Sequence, residues 1–134
     1  MAAINKVYLV DDDEINNFIC TNILRKISFC DDVVAYESGT EAIDALKDAI
    51  NNGQNDIPDV IFLDINMPIM NGWDFLEEFK GLKSQIEKKV SLFMLSSSIY
   101  QADVEKSKQY DDVVDFVTKP LNADVLNDIK NKYF

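Results

Sequence analysis

Val60-Ile61-Phe62-Leu63-Asp64 is an unbroken apolar run closed by a carboxylate. A strand with one wet face alternates apolar and polar residues, whereas a short continuous run bounded by polar residues fits a strand buried on both faces, as in a parallel sheet. Apolar, β-branched runs, the last two each holding one polar residue, recur at Val7-Tyr8-Leu9-Val10, Val33-Val34-Ala35-Tyr36, Val90 to Leu95 and Val113 to Val117. Five short strands are predicted at these places.

The segments between them carry helical spacing. Ile15, Phe18, Ile19, Ile23, Leu24 and Ile27 recur as one face of a first helix, predicted to be its buried face. Ser38-Gly39-Thr40-Glu41 has the form of a reciprocal capping box, and Ala42, Ile43, Leu46 and Ile50 follow as an inward face. A third helix is predicted after Asn71-Gly72, burying Phe75, Leu76 and Phe79, and a last one after the N-cap Asn122, with Val125, Leu126 and Ile129 inward. The fourth, roughly Ile99 to Tyr110, has only Ile99 and Val104 to bury and is predicted to be loosely held. Asn51 to Pro58 is polar, contains Gly53, and reads as a surface loop.

Strand and helix alternate throughout, and parallel strands need crossover connections, so the fold class is α/β: a doubly wound five-stranded parallel sheet in a three-layer sandwich. Such folds bind ligands outside the carboxyl ends of their strands, where the winding reverses. Asp11 and Asp12 follow the first strand, Asp64 closes the third, Ser96 the fourth, and Lys119 the fifth.

Asp13 and Glu14 open the first helix and favour its positive end. Asp11, Asp12 and Asp64 are different, because carboxylates crowded on one rim repel one another unless a cation intervenes. An all-oxygen ligand set, in a chain with no histidine, points to Mg²⁺. With such a metal, an aspartate can attack phosphorus to give an acyl phosphate, with Lys119 supplying a cation for the phosphoryl oxygens and Ser96 a hydrogen-bond donor. Lys119 precedes Pro120, the one common setting for a cis peptide. Trp73 is expected to be exposed near Asp64, as a reporter of metal binding or as surface packing.

At 134 residues and 47% hydrophobic the chain can bury one core, so a single domain spanning 1–134 is expected. Its formal net charge of −11 makes direct nucleic-acid binding unfavourable, because phosphate backbones would be repelled. Cys20 and Cys30 lack metal-ligand spacing and are expected to be buried free thiols in a reducing cytoplasm. No segment reaches the roughly 18 apolar residues of a membrane span, and no secretory leader is evident, so no membrane partner is expected.

These residues resemble the receiver domain of two-component response regulators over essentially the whole chain. Val10-Asp11-Asp12-Asp13 is similar to the family's amino-terminal acidic cluster, and Leu63-Asp64-Ile65-Asn66-Met67-Pro68 followed by Asn71-Gly72 to its phosphoacceptor segment. Ser96 and Lys119-Pro120 match the two remaining positions. The resemblance implies a flavodoxin-like fold, phosphorylation of Asp64 by a histidine kinase or phosphotransfer protein, and Mg²⁺ bound by Asp12 and Asp64, with the Asn66 carbonyl as a further ligand and Asp11 assisting. It also implies that Ser96 and Phe116 switch the surface of the fourth helix, fifth strand and fifth helix.

The sequence departs from the family's common pattern in the long Asn51–Pro58 loop, in Ser96 where threonine is frequent, and in Phe116 where tyrosine is. A stand-alone module is expected, a monomer or weak dimer without an output domain, acting on an unknown downstream protein target and catalysing only its own phosphorylation and dephosphorylation. A metal-dependent phosphatase is the enzymatic alternative, but the position two residues after Asp64, where such enzymes place a second acid, holds Asn66. A phosphorylation-independent adaptor is the other.

Overall fold

The computed structural model describes residues 4–98 and 100–134. Its elements are β1 (Lys6–Val10), α1 (Glu14–Lys26), β2 (Asp32–Tyr36), α2 (Gly39–Asn51), β3 (Val60–Asp64), α3 (Gly72–Leu82), β4 (Ser91–Ser96), α4 (Gln101–Ser107), β5 (Val113–Thr118) and α5 (Ala123–Tyr133). A 3₁₀ turn over Lys83–Gln85 extends α3. All strand pairings are parallel, in the order β2-β1-β3-β4-β5. The doubly wound sandwich expected from the sequence is the one observed.

Alternation along each strand divides the core. Tyr8, Val10, Ile61, Leu63, Leu92 and Met94 point to the layer of α2 and α3, where Leu46, Phe75 and Leu76 cover them. Val7, Leu9, Val60, Phe62, Phe93 and Leu95 point to the layer of α1 and α5, under Leu24, Leu126 and Ile129. All of β3 and β4 is buried, which is why their sequences carry no polar alternation.

Helix α1 departs from expectation. Ile15, Phe18 and Ile19 are 71%, 68% and 50% exposed, and the helix buries Asn17, Cys20 and Leu24 instead. Polar bonds set its rotation. Asp13 caps the helix through the N–H groups of Ile15 and Asn16, and the Asn17 side chain donates to the Asp11 carbonyl at 2.8 Å. Ile23 and Ile27 pack at the margin of the core.

Capping also differs in detail. Ser38 accepts the Glu41 N–H, the serine half of the expected box, while a complete reciprocal box forms between Asn71 and Asp74 at the start of α3. α4 is shorter than the sequence suggested, with Val104 half-buried; Ile99 lies outside the described residues. Both thiols are free. Cys20 is buried and Cys30 half-buried, and burial pushes Cys30 up to about 11. No helix among the described residues is long and apolar enough to cross a membrane.

Candidate functional site

β1 and β3 are neighbours in the middle of the sheet, with Val10 paired to Leu63, so their carboxyl ends emerge side by side. Asp11 continues from β1 with its N–H donating to the Tyr36 carbonyl, and Asp64 is the last residue of β3. One oxygen from each of Asp11, Asp12 and Asp64 lies within 4.8 Å of the others. Asp11 and Asp64 are only 1% and 4% exposed, while Asp12 faces solvent.

β5 delivers the cation. Lys119 follows Thr118, its N–H donates to the Ser96 carbonyl, and the Lys119–Pro120 peptide is cis. Its Nζ stands 2.7 Å from Asp11 Oδ2 and 3.3 Å from Asp64 Oδ2. Burial works to lower the Lys119 pKa, but the hydrogen bond and charge of Asp11, joined by Asp64, raise it above its ordinary value. For Asp64 the balance tips the other way: burial, then the charge of Asp11, raises its pKa despite Lys119. Three carboxylates against one ammonium leave negative charge uncompensated. A small divalent cation with a preference for oxygen fits that donor set.

The loop after β3 is pinned from below. The Asn66 N–H donates to Asp64 Oδ1 at 3.2 Å, and the Gly72 N–H to the Ile65 carbonyl at 2.8 Å. A Cβ at Gly72 would fall 2.9 Å from Ile65 Cα and 3.0 Å from the Asp64 carbonyl, so only glycine lets α3 start this close to the rim. Ile69, in the same loop, holds a left-handed φ of 68° with its side chain fully exposed, a conformation that β-branched residues rarely adopt.

Ser96 is buried at the carboxyl end of β4, and its hydroxyl donates to the Ser98 carbonyl and accepts the Ser98 N–H. Phe116 is half-buried in β5, paired with Met94. Trp73 is not the exposed reporter expected: it is half-buried, its ring 6.5 Å from Phe116 and 6.2 Å from Tyr110, with Lys106 Nζ 4.7 Å above it. It bridges α3 to α4 and β5.

The sequence reading missed Asn16 and Asn17. Asn16 Nδ2 donates to Asp11 Oδ2 at 2.9 Å, and Asn17 is buried, its Oδ1 accepting no hydrogen bond from the described residues. The available signal was the i, i+3, i+7 series Asn17, Cys20, Leu24, overshadowed by the stronger apolar stripe beside it.

The response regulator receiver domain family model matches residues 7–130. The chain is 31% identical to the chemotaxis protein CheY of Bacillus subtilis, over 96% of each. It is 33% identical to the hybrid signal transduction histidine kinase L of Dictyostelium discoideum, over 97% of this chain but only 7% of that much longer protein. Among solved structures, a two-component response regulator from Cytophaga hutchinsonii superposes with a TM-score of 0.86 at 37% identity, over 98% of this chain and 97% of that one.

Proposed function

The chain belongs to the response regulator receiver domain family of two-component signalling, and from that premise we propose that Asp64 accepts a phosphoryl group in an Mg²⁺-dependent transfer. The observation that carries this reading is Lys119 spanning two nearly buried carboxylates, one of which, Asp64, has its pKa raised. A buried anion with too little compensation gains most from a cation and then from reaction.

Asp12 and Asp64, with the Asn66 carbonyl, would hold Mg²⁺, and Asp11 would assist. Bound there, the ion neutralises phosphoryl oxygens and makes phosphorus more electrophilic. The Asn66 N–H on Oδ1 and Lys119 opposite Oδ2 fix the plane of the Asp64 carboxylate. A carboxylate oxygen forms the new O–P bond, the P–N bond of a phosphohistidine donor breaks, and the electron pair stays on the imidazole nitrogen, which takes up a proton. Lys119 then turns to the phosphoryl oxygens.

The Ser96 hydroxyl exchanges its Ser98 partner for the phosphoryl group, and Phe116 moves inward into the vacated space. α4, only seven residues long, is the adjoining element most readily displaced. The altered α4–β5–α5 surface binds a downstream protein. Chemistry is confined to phosphorylation and dephosphorylation of Asp64 itself. A histidine kinase or phosphotransfer protein is the donor, and the exposed Ile15, Phe18 and Ile19 on α1, the helix that begins directly after the acidic pair, offer it an apolar seat.

Incubation with Mg²⁺ and acetyl phosphate, read by intact mass, is expected to give one phosphoryl adduct that hydroxylamine removes. Absence of any adduct with the wild-type protein would refute the proposal.

A further inference from the structure

Asp11 is held on every side. Its Oδ1 accepts the Asp13 N–H at 2.9 Å, and its Oδ2 accepts both Asn16 Nδ2 at 2.9 Å and Lys119 Nζ at 2.7 Å. Its main-chain carbonyl accepts Asn17 Nδ2, and its N–H is bound to Tyr36. The same lysine is the cation nearest Asp64. A phosphoryl group arriving on Asp64 brings a dianion within reach of Lys119, which competes with Asp11 for that ammonium. If Lys119 leaves, the Asn16 amide is the side-chain donor still on Asp11 Oδ2.

We infer that Asn16 is a positioning residue of the phosphorylated state, holding the Asp11 carboxylate in place when Lys119 turns to the phosphoryl group. This rests on the phosphoryl-transfer reading above. Several features of α1 serve that contact. The Asp13 cap fixes the helix start, the tie from Asn17 to the Asp11 carbonyl sets its rotation, and together they place Asn16 over Oδ2, with Ile15, Phe18 and Ile19 left in solvent. Asn16 itself is half-buried on the first turn of α1, where alanine is a better helix former, so removing its side chain need not weaken the helix.

The test compares wild type, Asn16→Ala and Asn16→Gln by titrating beryllium fluoride at saturating Mg²⁺, with Mg²⁺ alone and thermal unfolding of the free protein as controls. Lys119 engages Asp11 in the free state and is drawn away in the beryllium fluoride complex. Asn16→Ala is therefore expected to weaken beryllium fluoride binding by about tenfold, the scale of one lost hydrogen bond to a charged group. The same variant should shift Mg²⁺ affinity by about twofold or less and keep the melting temperature, because Lys119 still holds Asp11 in the free state. Asn16→Gln, which keeps the amide on a longer arm, should recover part of the loss. Equal beryllium fluoride affinity in Asn16→Ala and wild type would overturn the inference alone, as would equal weakening in both titrations. Failure of wild type to bind beryllium fluoride would overturn the phosphoryl-transfer reading, and this inference with it.

Discussion

Asp59 and Asp64 flank the same strand, one just before β3 and one at its end, and their surroundings push them in opposite directions. Asp59 accepts the main-chain N–H groups of Asn5 at 2.7 Å and Lys6 at 3.1 Å, and pairs with Lys88 at 2.6 Å. Burial alone would raise its pKa, but the Lys88 hydrogen bond and those two N–H donors outweigh it, and the pKa falls. Asp64 is more deeply buried, accepts one N–H from Asn66, and shares the Lys119 ammonium with Asp11; its pKa rises. A carboxylate supplied with donors on all sides fastens the fold. One left short of them at the opposite rim destabilises the folded chain and is available to a metal and a phosphoryl group.

Substitution at each aspartate should break this contrast in opposite senses. Asp64→Asn is expected to abolish phosphoryl-adduct formation from acetyl phosphate. In the absence of metal it should also raise stability by about 0.5–2 kcal/mol, because an undercompensated buried charge is removed; urea unfolding reads this. Asp59→Asn should do the reverse, lowering stability by about 1–3 kcal/mol through lost charge-assisted hydrogen bonds while leaving the rate of adduct formation within about twofold. A destabilised Asp64→Asn or a neutral Asp59→Asn would erase the distinction.

The pH dependence sharpens it further. The folded pKa of Asp59 is depressed, so its contribution is complete above the unfolded value of about 3.9 and disappears as pH falls through the folded value. The stability gap between wild type and Asp59→Asn should therefore stay constant from neutral pH to about 5 and close below about 4. The folded pKa of Asp64 is raised, so the sign reverses. Wild type is penalised relative to Asp64→Asn above the folded value, and the penalty should vanish below the unfolded one. Denaturation series for both variants between neutral and acid pH, without divalent metal, check the two trends.

The smallest effect on the free protein belongs to the apolar face of α1. Phe18→Ser should change stability by no more than about 0.5 kcal/mol, since the ring is already in water. It should leave phosphorylation by acetyl phosphate unaltered and slow it only when the donor is a phosphohistidine protein. Slowing with the small donor as well would place Phe18 in the chemistry and not in docking.

The same contrast explains what could be read from the chain. The strands were legible because β3 and β4 are buried on both faces and show it in uninterrupted apolar runs. The carboxylates and lysine were legible because each stands at or within two residues of the carboxyl end of a strand, which fixes its height at the rim. The orientation of α1 was not, because Asn17 and the Asp13 cap determine it through polar bonds while hydropathy pointed to Ile15, Phe18 and Ile19. Asn16 was illegible for the same reason, since its partner Asp11 is identified only once the helix is placed. The half-buried Trp73 depended on long-range packing with Lys106, Tyr110 and Phe116 that no local pattern encodes.

The most direct test of the proposed chemistry is to locate the modified residue. Wild-type protein treated with acetyl phosphate should be reduced with borohydride, which converts an aspartyl phosphate to homoserine, and the peptides sequenced by mass spectrometry, with and without Mg²⁺. The expected result is homoserine at position 64 alone, and only when Mg²⁺ is present. Reduction at Asp11, Asp12 or Asp59, or at none of them, would contradict the account.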